Sequence, residues 1–151
     1  MKKILFVCTG NTCRSPMAKA LFEKTIRDNG YNNELQVFSA GIYAGRNEPA
    51  SDEAILAMRE YDIDLTQHKA TVLTNQLVRK SHLILTMTGQ QAQFIKEQFP
   101  QYAHGIYTLS GYTSDVHDVV DPFGRGINLY RETARQLDGL IKKVLNRLQA
   151  E

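Results

Sequence analysis

The feature that most constrains this chain is an apolar run that leads directly into a short polar loop and then into a predicted helix. Ile4 to Val7 are consecutive apolar residues, a pattern typical of a strand buried on both faces of a parallel sheet. The loop occupies residues 8–14, and Ser15-Pro16 then supplies a favoured N-cap residue and a favoured first helical residue. We therefore predict a strand, a loop and a helix that begins at this Ser-Pro pair.

The rest of the chain alternates predicted strands and helices. Further strands are expected near residues 35–39, 82–87 and 105–109, and helices are expected to begin near Ser51, Thr74 and Thr88. The final helix is the most regular, because its apolar residues alternate spacings of three and four, so that one face should pack on the sheet. These residues are Ile127, Tyr130, Ala134, Leu137, Ile141, Val144 and Leu148. The pattern predicts one α/β domain over residues 1–151, with a parallel sheet.

Composition excludes several classes of protein. A net charge of +2, from 18 basic and 16 acidic residues, gives no basic excess for nucleic acid. The apolar run after Lys2-Lys3 is shorter than the roughly 7–15 residues of a signal peptide, and no stretch reaches the roughly 20 apolar residues of a membrane span. We expect a cytoplasmic protein without a membrane partner. The two cysteines lie too close together in sequence to staple a fold, and no particular oligomeric state is indicated.

The loop has the properties of an anion site. It runs from the end of a buried strand to a helix N-terminus, where unpaired backbone N–H groups and the helix dipole attract negative charge. Gly10 and Asn11 allow the backbone to curl, and the Arg14 guanidinium can grip two phosphate oxygens at once. The sequence contains neither GxxxxGK[ST] nor GxGxxG, so a nucleotide-binding loop is disfavoured.

Cys8 occupies the last position of the strand, inside this predicted anion site. The positive charge of Arg14 and the amide dipoles favour its thiolate form, which is the nucleophilic form of cysteine. We expect this thiolate to attack a bound phosphate and form a phosphocysteine intermediate, with Ser15 donating its hydroxyl to the sulfur. An isolated Cys-x5-Arg match is common by chance, but here it lies directly between a strand and a helix start.

Two segments identify a family. The run Val7-Cys8-Thr9-Gly10-Asn11-Thr12-Cys13-Arg14-Ser15-Pro16 resembles the active-site signature of low-molecular-weight protein-tyrosine phosphatases, and Asp121-Pro122-Phe123 matches their second signature. The resemblance spans essentially the whole chain. It implies a four-stranded sheet of order 2-1-3-4 with helices on both faces, and phosphorylated proteins as substrates.

The resemblance also implies a role for each matching residue. Cys8 is the expected nucleophile, Arg14 the phosphate-binding group, and Asp121 the acid for the leaving atom and then the base for water. The expected substrate-binding residues are Thr9, Gly10, Asn11, Thr12, Cys13, Ser15 and Phe123. Ser39 and His68 are expected partners of Asn11, while Ile42, Tyr43 and Arg125 are candidates for the pocket mouth. No metal or cofactor is expected.

Cys13 suggests redox control. In the family, a cysteine at this position can trap the oxidised nucleophile as a reversible disulfide, so Cys8 and Cys13 are predicted to form a redox switch. The residue also fits a plainer role as a small residue that packs the loop.

The loop also bears on the substrate. Thr12 replaces the Ile or Leu usual in tyrosine-directed relatives, and Phe123-Gly124 replaces their two aromatic residues. Both features match the arginine-directed bacterial branch, so we expect a preference for phosphoarginine, with phosphotyrosine as the alternative. A thioredoxin-coupled arsenate reductase would need further cysteines after Cys13. A non-catalytic phosphoprotein-binding module would be expected to lack Cys8 or Asp121.

Overall fold

Strand β1 (Lys2–Cys8) lies inside a parallel sheet in the computed structural model, which describes residues 1–151. It pairs on one side with β2 (Leu35–Gly41) and on the other with β3 (Leu83–Thr86), and β3 pairs with β4 (Ile106–Thr108). The order is therefore β2-β1-β3-β4, with every pairing parallel. This confirms the predicted sheet and its strand order.

Helices cover both faces of the sheet. They are α1 (Arg14–Asp28), α2 (Asp52–Arg59), α3 (Asn75–Lys80), α4 (Gly89–Gln98), α5 (Leu109–Tyr112) and α6 (Ile127–Ala150), with a 3₁₀ helix at Pro100–Gly105. Alternate β1 residues face opposite sides: Ile4 and Phe6 join the core cluster that contains α1, α2 and α6 residues, whereas Leu5 and Val7 join the cluster that contains α3 and α4 residues. This period of two explains why the run at residues 4–7 is apolar without a break.

The apolar face of α6 is confirmed. Tyr130, Leu137 and Ile141 are buried, and they join the core cluster that also contains Phe6 of the sheet. The helix packs chiefly against α1 and α2, so its contact with the sheet is made through this shared side-chain cluster. None of the helices is both long and apolar enough to cross a lipid bilayer.

The predicted starts of three helices, near Ser51, Thr74 and Thr88, are confirmed, whereas the predicted N-cap at Ser15 is wrong. The side chains of Ser51, Thr74 and Thr88 each accept a backbone N–H in the first turn of α2, α3 and α4. Ser15, however, lies inside α1, which begins at Arg14. The Ser15 hydroxyl makes its short contact with the Cys8 sulfur, 2.8 Å away, and so does not cap the helix. Two short elements, α5 and the 3₁₀ helix, were not predicted from the sequence.

Candidate active site

The loop between β1 and α1 lines a cavity at the carboxyl end of the sheet, where ligands bind in open α/β folds. The cavity brings together every predicted site residue except Ser15. The lining residues are Cys8, Thr9, Gly10, Asn11, Thr12, Cys13, Arg14, Tyr43, Ala44, Gly45, Glu48, Asp121 and Phe123. Of the three residues considered for the pocket mouth, Tyr43 lines the cavity, and Ile42 and Arg125 do not.

Hydrogen-bond donors surround the Cys8 sulfur. The thiol is 3% exposed, and its Sγ accepts from the backbone N–H of Asn11 at 3.2 Å. The Ser15 Oγ lies 2.8 Å from the same sulfur and accepts from Asn11 Nδ2 at 2.7 Å. The Ser15 hydroxyl has two acceptors within reach, the Cys8 sulfur at 2.8 Å and the Ala40 carbonyl at 3.5 Å, and the shorter contact favours donation to Cys8. Two donors aimed at one sulfur stabilise a thiolate.

Asn11 holds the loop in shape. It is fully buried with φ of 57°, a left-handed conformation that Asn tolerates better than most residues. Its Nδ2 donates to Ser15 and, at 3.1 Å, to Ser39, while its Oδ1 accepts from Thr71 N at 2.9 Å. Its backbone carbonyl lies 2.7 Å from His68 Nε2. Ser39 and His68, the two expected partners of Asn11, therefore both contact it, and Thr71 is a third partner that was not expected.

The protonation state of His68 follows from its surroundings. Burial lowers the pKa of His68 below its ordinary value of 6.5, although the hydrogen bond to the Asn11 carbonyl opposes this shift. The imidazole is therefore neutral near pH 7. Since Asn11 offers a carbonyl oxygen, Nε2 carries the hydrogen and donates it.

One side of the Arg14 guanidinium is held by a hydrogen bond, and the residue also lines the cavity. The residue is 5% exposed, and its Nη1 donates to the Val119 carbonyl at 3.0 Å. Around it lie backbone N–H groups that donate to no other backbone group. These belong to Thr9, Gly10, Thr12, Cys13 and Arg14 itself. A guanidinium and several unpaired amides on one loop form a site for a tetrahedral anion.

Asp121 reaches the cavity from the segment between α5 and α6. Its Oδ2 lies 3.7 Å from Arg14 Nη2, and its side chain is 60% exposed. The segment before it is anchored, because Val119 N donates to the Met87 carbonyl at 2.9 Å and Asp118 Oδ1 accepts from Gly89 N at 3.0 Å. Asp118 therefore anchors this segment to the start of α4, whereas Asp121 is the carboxylic acid of the segment that lines the cavity.

Cys13 contacts both the loop and more distant elements. Its Sγ lies 3.7 Å from the Oγ1 of its neighbour Thr12. Its Sγ lies 3.1 Å from the Tyr130 hydroxyl, which also accepts from Ser51 Oγ at 3.2 Å. Burial raises the pKa of Tyr130, so its hydroxyl keeps its proton. This cluster ties the loop to α2 and α6.

Several residues of this architecture escaped the sequence analysis. Gln91 donates to Thr9 Oγ1 at 3.1 Å, and Ser51 and Tyr130 contact Cys13. Glu48 lines the cavity. Local patterns indicate a helix start for Ser51, an apolar helix face for Tyr130 and the third position of a capping box for Gln91, but none of these patterns points to the catalytic loop. No group of three or more His, Cys, Asp or Glu side chains is arranged to hold a metal ion.

Comparison with known proteins extends this picture. Residues 3–151 match the family model described as low molecular weight phosphotyrosine protein phosphatase. A protein-arginine-phosphatase of Bacillus subtilis is 41% identical over 149 residues, which are 98% of this chain and 97% of that protein. A low molecular weight protein-tyrosine-phosphatase, PtpB of Staphylococcus haemolyticus, is 36% identical over 142 residues, 94% of this chain and 96% of its own.

A solved structure adds chemical detail. It is a mutant of the YwlE arginine phosphatase in which the active-site serine is phosphorylated, and it superposes with a TM-score of 0.93. The two chains are 40% identical, and the match covers 97% of this chain and 95% of the other. In that protein, a side chain of the active site accepts the phosphoryl group.

Proposed function

This chain belongs to the low molecular weight phosphotyrosine protein phosphatase family, and we propose that it hydrolyses phosphoarginine in proteins through a phosphocysteine at Cys8. It is a phosphoprotein phosphatase. The observation that carries the mechanism is the Cys8 sulfur with two donors, at 2.8 and 3.2 Å, inside a loop of unpaired amides. A thiolate held there lies beside a phosphate bound to the loop and can therefore act as a nucleophile toward phosphorus.

The first chemical step transfers the phosphoryl group to sulfur. The loop amides and Arg14 bind the phosphoryl oxygens and stabilise the charge that they carry in the transition state. The Cys8 thiolate attacks phosphorus, and the bond from phosphorus to the leaving atom breaks. Asp121 gives its proton to that atom, so arginine departs as a guanidinium, or tyrosine as a neutral phenol.

The second step returns the enzyme to its starting state. Asp121, now a carboxylate, takes a proton from a water molecule that attacks phosphorus. The bond from phosphorus to sulfur breaks, inorganic phosphate forms, and Cys8 leaves as a thiolate. Ser15 assists by donating to the sulfur as charge returns to it, which favours the departure of the thiolate.

The preference for phosphoarginine rests on the cavity wall and on the relatives. Thr12 lines the cavity where tyrosine-directed proteins usually carry a larger aliphatic residue, and Gly124 follows Phe123. A Thr side chain presents a hydroxyl to a polar guanidinium and gives less apolar wall to a phenyl ring. The protein-arginine-phosphatase of Bacillus subtilis resembles this chain over almost its full length.

Phosphotyrosine is the second candidate, and one observation favours it. Tyr43 and Phe123 line the cavity with side chains that are 71% and 68% exposed. Two exposed aromatic rings could flank a phosphotyrosine ring by stacking, an interaction worth about 0.5–1.5 kcal/mol beyond burial. The same rings can also stack on a guanidinium plane, so they do not by themselves separate the two substrates.

The experiment compares kcat/KM on matched phosphoarginine and phosphotyrosine peptides, with Cys8→Ser as the blank. We expect phosphoarginine to be preferred, and Thr12→Ile to reverse the preference by filling the space beside the phosphorus. Thr12→Val is the matched control, because it removes the hydroxyl while keeping the shape of the side chain. If Thr12→Val alone lowers phosphoarginine turnover, the hydroxyl contributes; if only Thr12→Ile does, the volume decides. A wild-type preference for phosphotyrosine would refute the proposed substrate.

A further inference from the structure

The cavity contains a second carboxylate besides Asp121. Glu48 lies in the segment between β2 and α2 and lines the same cavity as the catalytic loop. Asp121 has Arg14 as a charge partner at 3.7 Å, whereas Glu48 has no Lys, Arg or His within ion-pair distance. No ion pair with a side chain of this protein therefore competes with a ligand for the Glu48 carboxylate.

The backbone beneath Glu48 is firmly held although its side chain is exposed. The Glu48 carbonyl accepts from Ala70 N at 2.7 Å, and Asn47 N donates to the Ala70 carbonyl at 3.0 Å. Asn47 adopts φ of 60°, which turns the chain at this point. Ala70 itself is 2% exposed, so this turn is fastened to the interior. The carboxylate thus extends from a fixed base, which limits the entropy lost when it binds a partner.

Gly45 makes room for the carboxylate. A Cβ atom built on Gly45 would lie 2.1 Å from Glu48 Oε1 and 2.5 Å from its Cδ. The Glu48 side chain therefore lies directly over this glycine, and both residues line the cavity. Any larger residue at position 45 would displace the carboxylate. Gly45 does not have a positive φ, so the backbone here does not require a glycine. The glycine instead leaves space for the side chain of Glu48.

We propose that Glu48 is a specificity-determining residue that binds the guanidinium of a phosphoarginine substrate. A guanidinium presents several N–H donors in one plane, and only one of its nitrogens carries the phosphoryl group. While Asp121 serves that nitrogen, a second carboxylate can accept from the remaining N–H groups. This inference rests on the proposed phosphoarginine activity and assigns to Glu48 the recognition of the cationic part of the substrate.

The same carboxylate disfavours phosphotyrosine. A phenol ring has no N–H group and no positive charge for Glu48 to bind, while the negative carboxylate repels the incoming phosphate of either substrate. With phosphoarginine, the attraction to the guanidinium offsets that repulsion. With phosphotyrosine, nothing offsets it, so the substitution E48Q should change the two activities in opposite directions.

The test measures kcat/KM of wild-type and E48Q protein on the phosphoarginine and phosphotyrosine peptides. We expect E48Q to lower kcat/KM on phosphoarginine by about fivefold, the size of a partly solvent-exposed charge pair, mainly through KM, and to raise it on phosphotyrosine. An unchanged ratio of the two activities in E48Q, or an equal loss on both substrates, would overturn the role of Glu48 and leave the phosphoarginine activity of the wild type intact. Absence of phosphoarginine turnover in the wild type would overturn both proposals.

Two further variants exclude indirect effects. Glu34→Gln removes the same charge at the opposite end of the strands, beside Lys2 and Leu35, and should leave both activities unchanged. Gly45→Ala displaces the carboxylate without removing its charge and should reproduce most of the loss seen for E48Q. Added to E48Q, it should cause little further loss. If Gly45→Ala lowers phosphoarginine turnover as strongly in the E48Q background as in the wild type, the backbone at Gly45 acts by itself and the proposal fails.

Discussion

Replacing Asn11 by Ala would test whether the catalytic loop is held by the hydrogen bonds of one buried side chain. The substitution removes two bonds from Nδ2, to Ser15 and Ser39, and one bond from Thr71 N to Oδ1. It leaves the backbone N–H of Thr71 and the hydroxyl groups of Ser15 and Ser39 without this partner. It also places Ala at φ of 57°, a conformation disfavoured by its Cβ.

The expected loss of stability follows from these contacts. Three hydrogen bonds at about 1 kcal/mol each give about 3 kcal/mol. The left-handed backbone adds about 1 kcal/mol for Ala. We therefore expect the free energy of unfolding to fall by about 4 kcal/mol, a large share of the roughly 5–15 kcal/mol that stabilises a typical domain. The activity of the folded variant should also fall, beyond any loss caused by unfolding, because Asn11 orients Ser15 toward the Cys8 sulfur.

Urea unfolding and kcat/KM on p-nitrophenyl phosphate measure the two effects separately. Asn11→Gly is the matched control, since it loses the same three bonds but accepts the positive φ. It should be less destabilised than Asn11→Ala by up to about 1 kcal/mol, after the greater freedom of glycine in the unfolded state is subtracted. A loss below about 1 kcal/mol in Asn11→Ala would refute the reasoning, because it would show that the loop keeps its shape without this side chain.

Further predictions concern the acid, the histidine and the second cysteine. Asp121→Asn should lower kcat by about 10²–10⁴-fold for substrates with poor leaving groups, the range for general acid catalysis, and much less for good ones; steady-state kinetics over a series of aryl phosphates would show this, and an equal loss throughout would rule out the acid. Burial lowers the pKa of His68 in the folded protein, so the unfolded state binds the proton first as the pH falls. Stability should therefore decline from about pH 6.5 down to the lowered pKa, and this group should have no effect on stability above about pH 6.5. Urea midpoints across this range should show a smaller decline in His68→Gln, and an identical decline would assign the pH dependence to other groups. Cys13→Ala should make inactivation by peroxide resistant to rescue by thiol; recovery equal to that of the wild type would exclude the proposed disulfide with Cys8.

Features of the fold that depend on residues adjacent in sequence were predictable from the sequence. The apolar run at residues 4–7 and the helix starts near Ser51, Thr74 and Thr88 are local patterns, and the structure reproduces each one. Ser15 shows the limit of such patterns. Its position before Pro16 is typical of an N-cap, yet Cys8 and Asn11 compete for its hydroxyl, and the helix begins one residue earlier.

The support around the site was not predictable in the same way. Tyr130 contacts Cys13 across 117 positions of the chain, and Arg14 donates to the carbonyl of Val119 across 105 positions. Neither contact leaves a periodic or spacing signal, because it depends on how α1, α6 and the segment before Asp121 pack together. The backbone carbonyl of Val119 in particular acts independently of the side chain at that position, so its residue type carries no information.

The most direct test of the central claim is to find where the phosphoryl group resides during turnover. The enzyme would be mixed with a phosphoarginine peptide, quenched within the first turnover, digested and analysed by mass spectrometry. We predict one added phosphoryl group on the sulfur of Cys8 in the wild type, and none on Cys13. Phosphate release with no label on Cys8, or with label on another side chain of the loop, would contradict the account.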